Sequence, residues 1–155
     1  MKSTAYFEEM RRVSHEWQVA KDERMARKQR IIDEFGYGSD ELNAWYAEAA
    51  PAFPYSNGAS KAYRAWENSA HVEDGAVEMS DFCFDSEVHD FIATLRAAGV
   101  RMLYYTNRST AVMGNLHAFA AEGCTLEGLC TVTRHETRWG DEAATEAPGI
   151  LFVID

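Results

Sequence analysis

The chain has 155 residues, a hydrophobic fraction of 46% and a formal net charge of −10 at pH 7. This length supports one ordinary core, and the apolar fraction argues against an intrinsically disordered chain. No apolar run approaches the ~20 residues that span a bilayer, and the N-terminus lacks the apolar stretch of a signal peptide. We therefore expect a cytoplasmic protein that contacts no membrane.

The negative charge is concentrated in the second half of the chain. Residues 1–72 carry ten Lys/Arg and eleven Asp/Glu, whereas residues 73–155 carry five and fourteen. Because nucleic-acid phosphates attract basic side chains, the second half is a poor candidate for nucleic-acid binding. Such an acidic surface fits a basic protein partner, or a solvated face that only keeps the protein in solution.

Apolar residues near the N-terminus recur at intervals of four and three residues, the spacing of one helix face. The stripe comprises Tyr6, Met10, Val13, Trp17 and Ala20. It predicts a helix that begins near Thr4 and ends at Gly36 and Gly38. The same spacing fits a coiled-coil contact, so a homodimer through the N-terminal helices is an open alternative.

Two further helices are predicted before residue 72. Ser39 is a typical N-cap, followed by two acids in the first helical turn. The stretch 51–58 holds two prolines and an Asn-Gly pair, which indicates a loop before a third helix over about 60–70. Each of the three helices carries one tryptophan on its apolar face: Trp17, Trp45 and Trp66. This distribution favours core anchors over a stacking platform for bases.

A strand–helix pattern occurs twice in succession after residue 73. Each copy has a short apolar strand, a helix-period segment and a glycine that ends the helix. The predicted strands are Val77–Phe82 and Val100–Tyr105, and the predicted helices are Val88–Ala98 and Ala111–Ala121. Strand–helix–strand units of this length build parallel sheets. Because residues 77–82 alternate apolar and polar, we expect the first strand to be half exposed at an edge.

Two more strands are predicted towards the C-terminus, Leu129–Thr133 and the apolar run Ile150–Ile154. The segment between them, Arg134–Pro148, has no helix-length pattern, so we predict a long polar loop that joins antiparallel neighbours. The predicted fold is α/β, with α+β as the alternative. It has two to three N-terminal helices over 1–72 and a β-α-β-α-β-β sheet over 73–155, mainly parallel with an antiparallel last strand. We expect the two regions to pack as one compact domain.

Polar side chains follow the predicted strands at their carboxyl ends, where parallel sheets bind ligands. One such segment leads from a strand into a helix N-terminus, whose free N–H groups favour an anion. Its residues are Thr106, Asn107, Arg108, Ser109 and Thr110. The alternative is that Asn107 turns the chain and Ser109 caps the helix, since no glycine-rich loop is present.

Two further strand-end residues are candidate catalytic groups. Asp81 has the chemistry of a general base or a metal ligand, and His135 lies between Arg134 and Glu136. Trp139, in the predicted loop, either tucks back onto the sheet or is an exposed contact residue for a partner.

The chain shows no metal-binding pattern. The helical histidines have no second histidine or cysteine three or four residues away, so we predict no metal and no cofactor. The three cysteines are Cys83, Cys124 and Cys130. They lie in or beside apolar runs, which indicates buried thiols in a reducing compartment.

The run Ala98–Asn107 resembles the second motif of haloacid-dehalogenase-like hydrolases. In that family a strand ends in Thr or Ser, often followed by Asn, and the hydroxyl holds a phosphate. The resemblance implies a phosphate contact at Thr106. The family also requires two aspartates two residues apart after its first strand, whereas Asp81 is followed by Phe82 and Cys83. The resemblance therefore implies a chain that has lost the catalysis.

The chain as a whole resembles small uncharacterised proteins carried by conjugative and other mobile elements of gut bacteria. The resemblance rests on the segments 1–10, 106–113 and 123–140. It implies a genetic setting and carries no assigned activity.

The sequence supports three functional hypotheses. The preferred one is a non-enzymatic accessory protein that binds another protein, because the charge is asymmetric and no complete catalytic constellation is present. The second is a small hydrolase or phosphate-ester binder that uses Asp81, Thr106, Asn107 and His135. The third is an acidic DNA mimic, which requires carboxylates at phosphate spacing along an elongated face.

Overall fold

The computed structural model describes residues 4–73, 75–81 and 83–155. The chain folds as two compact units: one is Glu8–Pro54, and the other joins Met1–Phe7 to Tyr55–Asp155. None of the helices in the described ranges combines the length and the apolar content that crossing a bilayer requires.

The unit Glu8–Pro54 contains most of α1 (Thr4–Phe35) and all of α2 (Asp40–Ala47). Both predicted helices are confirmed. α1 ends because Gly36 adopts a φ of +80°, a left-handed conformation that costs glycine little. α2 begins at its predicted cap, where the Ser39 side chain accepts a hydrogen bond of 3.1 Å from the backbone N–H three residues on.

Two tryptophans make contacts inside this unit, one buried as predicted and the other, Trp17, half-buried. Trp45 is buried, and the Arg24 guanidinium lies 3.7 Å from its ring centroid in a cation–π contact. The Trp45 Nε1–H donates to the Arg24 carbonyl at 3.2 Å. The Trp17 Nε1–H donates to the Pro51 carbonyl at 3.0 Å, and the Trp17 ring packs edge-on against Phe53. These contacts tie the segment after α2 to the side of α1.

The described part of the second unit contains three α-helices and a four-stranded mixed sheet, which confirms the predicted α/β fold. The strands are β1 (Val77–Met79), β2 (Met102–Tyr105), β3 (Thr125–Arg138) and β4 (Asp141–Val153). The helices are α3 (Asn57–Glu67), α4 (Val88–Ala97) and α5 (Val112–Ala121). The strand order is β1-β2-β4-β3, with β1 parallel to β2 and β4 antiparallel to both of its neighbours. The last two strands are therefore antiparallel neighbours, as predicted.

Aromatic side chains fill the core between the sheet and the helices α4 and α5. Phe119 of α5 packs edge-on against Tyr105 and Phe152, with ring centroids 5.0 and 5.2 Å away. Phe91 of α4 lies 6.3 Å from the same ring. Because all four rings are fully buried, each contributes about 2 kcal/mol to the free energy of unfolding.

The first strand differs from its prediction. β1 spans Val77–Met79 rather than 77–82, and Phe82 lies outside the described residues. The strand is at the sheet edge, as predicted, but all three of its residues are buried, so the predicted half exposure is wrong. The segment after α3 covers the outer edge of β1, since the Ser69 hydroxyl accepts the Glu78 N–H at 2.9 Å.

The predicted loop Arg134–Pro148 is also wrong, because β3 and β4 continue through it as an antiparallel hairpin. Trp139 and Gly140 form the turn with φ values of +54° and +88°, and two successive positive φ angles are typical of a type I′ hairpin turn. The described side chains of this hairpin are mostly polar or small and exposed on both faces. No apolar alternation therefore marks its strands in the sequence.

This hairpin projects past the carboxyl ends of β1 and β2. The β2–β4 pairing ends at Tyr105 and Ile150, so within the described sheet the residues of β4 before Ile150 pair with β3 alone. We call residues 130–149 the arm. Gly149 lets the arm pass close to β2, because a Cβ at this position would lie 2.8 Å from the Tyr105 carbonyl oxygen and from the Thr106 Cγ2.

We expect Gly149→Ala to lower the free energy of unfolding by about 2 kcal/mol, because the new methyl group meets backbone that must shift. Gly114→Ala is the matched control. Gly114 lies inside α5, and a Cβ there has no neighbour within 4 Å, so alanine should stabilise by roughly 0.5–1 kcal/mol. Urea unfolding measures the free energy of unfolding of both variants. Equal effects of the two substitutions would contradict the close approach of Gly149 to β2.

Candidate functional site

A buried carboxylate, Glu78, lies where the arm crosses the strand ends. Only 3% of its side chain is exposed. From the arm, Arg134 donates through Nε to Oε2 at 3.1 Å and through Nη2 to Oε1. The same Nη2 lies 3.1 Å from the hydroxyl of Thr106, the residue that follows β2. A bidentate arginine–carboxylate pair of this kind fixes the orientation of both groups.

Two more side chains complete the shell around Glu78. The Thr106 hydroxyl donates to Oε1 at 3.0 Å, and His71 Nε2 lies 2.7 Å from Oε2. Each carboxylate oxygen therefore has two partners, which accounts for the acceptor capacity of the group. We call His71, Glu78, Thr106 and Arg134 the Glu78 cluster. It joins the connection after α3, the edge strand β1, the end of β2 and the arm at one point.

Two cavities adjoin the Glu78 cluster. The first has a volume of about 340 Å³ and lies beside the arm; its lining residues are Asn68, His71, Glu78, Ser80, Arg134 and His135. The second, of about 350 Å³, lies beside α3; its lining residues are Lys61, Arg64, Ala65, Asn68, Glu78, Met79, Ser80 and Asp81. The two cavities share Asn68, Glu78 and Ser80, so they adjoin at the edge of β1, and we refer to them together as the cleft. We call them the arm-side and helix-side cavities.

The structure places the predicted anion segment around the cluster. Thr106 is buried and donates to Glu78, so its hydroxyl already serves a carboxylate of the protein itself. Asn107 Nδ2 donates to the Ser80 carbonyl at 3.2 Å, and its Oδ1 accepts the Ser109 N–H at 2.9 Å. Asn107 thus turns the chain and ties the end of β1 to the connection before α5. The side chains of Arg108 and Thr110 are exposed.

The predicted helix cap at Ser109 is wrong. α5 begins at Val112 with Ala111 as its N-cap, and no described side chain caps the first turn. The Ser109 hydroxyl is instead a buried oxygen with no hydrogen-bond partner within the described residues.

The two candidate catalytic residues line different parts of the cleft. Asp81 lines the helix-side cavity together with Lys61 and Arg64, whereas His135 lines the arm-side cavity together with Arg134. Among the side chains described, no three His, Cys, Asp or Glu residues group as metal ligands.

Trp139 lies apart from the cleft, at the tip of the arm. Its side chain is fully exposed rather than packed against the sheet. It occupies the first of the two turn positions between β3 and β4.

The centre of the site was not predicted from the sequence. In the sequence, Glu78 is a polar residue in a strand that alternates apolar and polar residues. This pattern favours a side chain that faces solvent. A carboxylate between Val77 and Met79, both buried, needs a cationic partner. That partner, Arg134, lies 56 residues away and inside a segment that reads as a loop. The only available signal was an isolated acid in an apolar strand, and this signal does not identify a partner.

A second, partly buried ion pair involves Lys61, one of the residues that line the helix-side cavity. Lys61 Nζ lies 2.7 Å from Glu87 Oε2, and 12% of each side chain is exposed. Burial of Glu87 acts to raise its pKa, but the hydrogen bonds from Lys61 and from the Phe84 N–H outweigh it, so the pKa is lowered. Burial first, and then the charge of Glu87, raises the pKa of the neighbouring Cys83 thiol to about 11. Cys83 is therefore a protonated, buried thiol at neutral pH.

A protein-family model, Domain of unknown function (DUF7698), matches residues 61–154. The chain belongs to the DUF7698 family. The DUF7698 region contains the whole Glu78 cluster and all the residues named above as lining the two cavities. No curated protein and no solved structure is significantly similar to the chain. These comparisons show neither the resemblance to haloacid-dehalogenase-like hydrolases nor the resemblance to mobile-element proteins.

We expect Arg134→Met to lower the free energy of unfolding by about 3 kcal/mol, because it leaves the Glu78 carboxylate buried without its main cationic partner. The matched control is Arg12→Met on α1. Arg12 pairs with Glu9 and Glu16 on an exposed helix face, where ion pairs contribute little. Urea unfolding measures both, and a loss at Arg134 no larger than at Arg12 would contradict the proposed role of the cluster.

We expect Glu87→Gln to destabilise the protein in a pH-dependent way. The folded pKa of Glu87 lies below its unfolded value, so its stabilising contribution is complete above the unfolded pKa of about 4.3. That contribution disappears as the pH falls through the folded pKa. Unfolding of wild type and variant from about pH 6 to pH 3 measures it.

A Lys61→Met background is the control for this experiment. In that background, adding Glu87→Gln should destabilise the protein at pH 6 less than it does in wild type, because the hydrogen bond from the Phe84 N–H remains. A loss at pH 6 as large as in the protein that retains Lys61 would contradict the assigned ion pair.

Proposed function

We propose that this DUF7698 protein is a non-enzymatic accessory protein that binds another protein through β3 and the tip of the arm. The observation that carries the proposal is the exposure of large apolar side chains. The two most exposed in the described residues are Trp139, which is fully exposed, and Leu129, at 91%. Leu126, on the same strand, is 56% exposed. Aromatic and aliphatic groups held outside a core are typical anchors of protein interfaces.

The backbone of β3 supports the same proposal. β3 is an edge strand of 14 residues that pairs, within the described sheet, only with β4, so its outer N–H and C=O groups are open to a further strand. Sheet edges are usually protected by lysine, proline, a bulge or a covering element; β3 contains neither lysine nor proline, and its one irregularity in pairing lies between Leu126 and Gly128. Strand addition to such an edge is a common mode of peptide recognition. We therefore expect an extended segment of the partner to align along β3.

The charge of the sheet region supports a basic partner. Residues 73–155 carry fourteen acids and five Lys/Arg. Three of these acids, Glu127, Glu142 and Glu146, are exposed on β3 and β4 beside the apolar anchors. Complementary charge steers association and makes it sensitive to salt. In the mobile-element setting that the sequence resemblance implies, such a protein would serve as an accessory to a basic component.

The chemistry of the strand ends also supports binding rather than catalysis. The Thr106 hydroxyl, to which the hydrolase resemblance assigns a phosphate contact, instead donates to the Glu78 carboxylate. The proposal therefore assigns the Glu78 cluster to holding the arm in place.

Capture experiments with the full-length protein in lysate of the native host test this proposal. We expect Leu129→Lys and Trp139→Ala to lose a protein that the wild type retains, because each removes an interface anchor worth about 2 kcal/mol, roughly 30-fold in affinity. Tyr37→Ala is the matched control, since Tyr37 is 85% exposed but lies outside the sheet region. Capture should weaken as salt is raised from low to physiological concentration. A wild type that retains no specific protein, or variants that retain it equally, would refute the proposal.

A further inference from the structure

We infer that the arm-side cavity binds a phosphate or carboxylate group of a small molecule. The inference is independent of the proposed protein-binding function. It rests on the groups that line this cavity, on the hydrogen bonds they already make and on the donors that remain. A volume of about 340 Å³ lies at the small end of the range for small-molecule sites.

Arg134 is the central donor of the site. Its Nε and Nη2 are occupied by Glu78 and Thr106, whereas Nη1 has no partner among the side chains that the structure describes. The guanidinium is therefore held rigidly by one edge while its other terminal nitrogen stays available. About a quarter of the side chain is exposed, 28%, so a ligand in the cavity can reach it. An arginine oriented by a buried carboxylate is pre-organised to bind an oxyanion.

Glu78 itself is not available to a ligand. Both of its carboxylate oxygens accept two hydrogen bonds from the protein, and its charge is neutralised by Arg134. A cationic ligand would therefore find no free acceptor at this carboxylate. Glu78 acts instead as the positioning residue for Arg134.

The remaining wall of the cavity comes from residues whose side chains have donor groups. Asn68 at the end of α3, His135 of the arm and Ser80 after β1 are among its lining residues. Each of these side chains can donate a hydrogen bond to an oxyanion, and among the described residues no carboxylate other than Glu78 lines this cavity. The arm-side cavity therefore has more hydrogen-bond donors than acceptors around a fixed arginine. In this it differs from the acidic surface of a chain with a net charge of −10.

The helix-side cavity adjoins this site and offers space for the rest of the ligand. It shares Asn68 and Ser80 with the arm-side cavity, and Arg64 and Asp81 are among its other lining residues. A small molecule whose anionic group contacts Arg134 would place its polar remainder along the edge of β1. Phosphate and carboxylate both accept charge-assisted hydrogen bonds from arginine, so the experiment includes both.

The test is a titration of the full-length protein with inorganic phosphate and, separately, with succinate at constant ionic strength, followed by amide NMR shifts. We expect saturation with a Kd of about 1 mM or tighter and shifts centred on the arm-side cavity. His135→Ala and Asn68→Ala should each weaken binding roughly tenfold, as expected for a lost hydrogen bond to a charged group. Neither variant removes a contact of the Glu78 cluster, so both should remain folded.

His117→Ala is the matched control, because His117 is an exposed histidine on α5 that lines neither cavity, and it should bind as wild type does. Saturation by phosphate alone would assign a phosphate-bearing ligand, and saturation by succinate alone a carboxylate-bearing one; saturation by both would support the shared oxyanion chemistry. Binding by neither anion, or equal weakening by His117→Ala and His135→Ala, would overturn the inference.

Discussion

The ion pair between Glu78 and Arg134 is the interaction on which the sheet unit depends. It buries a carboxylate in an edge strand, and such burial is tolerated only when every oxygen is hydrogen-bonded. Thr106 and His71 supply the remaining bonds. A two-stranded ribbon is marginally stable by itself, so this pair, together with the buried residues Val132 and Ala147 at the base of the arm, explains how the arm keeps one position.

The Glu78 cluster holds the arm at its base, and the arm then presents two different surfaces, one polar and one with exposed apolar side chains. Beside Glu78, the arm closes a polar cleft whose available groups are mostly donors. Along β3 and at Trp139, it presents an unpaired backbone edge and apolar side chains. The same ion pair therefore lies between the proposed ligand site and the proposed protein-binding surface, and neither proposal depends on the other.

Local features were predictable because they depend on residues close together in sequence. The cap at Ser39, the end of α1 at Gly36 and the two strand–helix repeats each follow from hydrogen bonds or periodicity within a few residues. The antiparallel order of the last two strands followed from a connection that has no helix-length pattern. The limits of β3 and β4 were missed, because exposed polar strands carry no apolar alternation and the Trp139-Gly140 turn is recognisable only after its strands are known.

The sequence by itself determined the α/β class and the helices. It also determined that polar side chains follow the parallel strands at their carboxyl ends. The tertiary structure alone decided that Glu78 is buried, that Arg134 is its partner, and that Thr106 serves this pair. The physical reason is that burial and ion pairing depend on how distant segments meet. A glutamate in a short strand has the same local pattern whether its side chain faces water or an arginine 56 residues away.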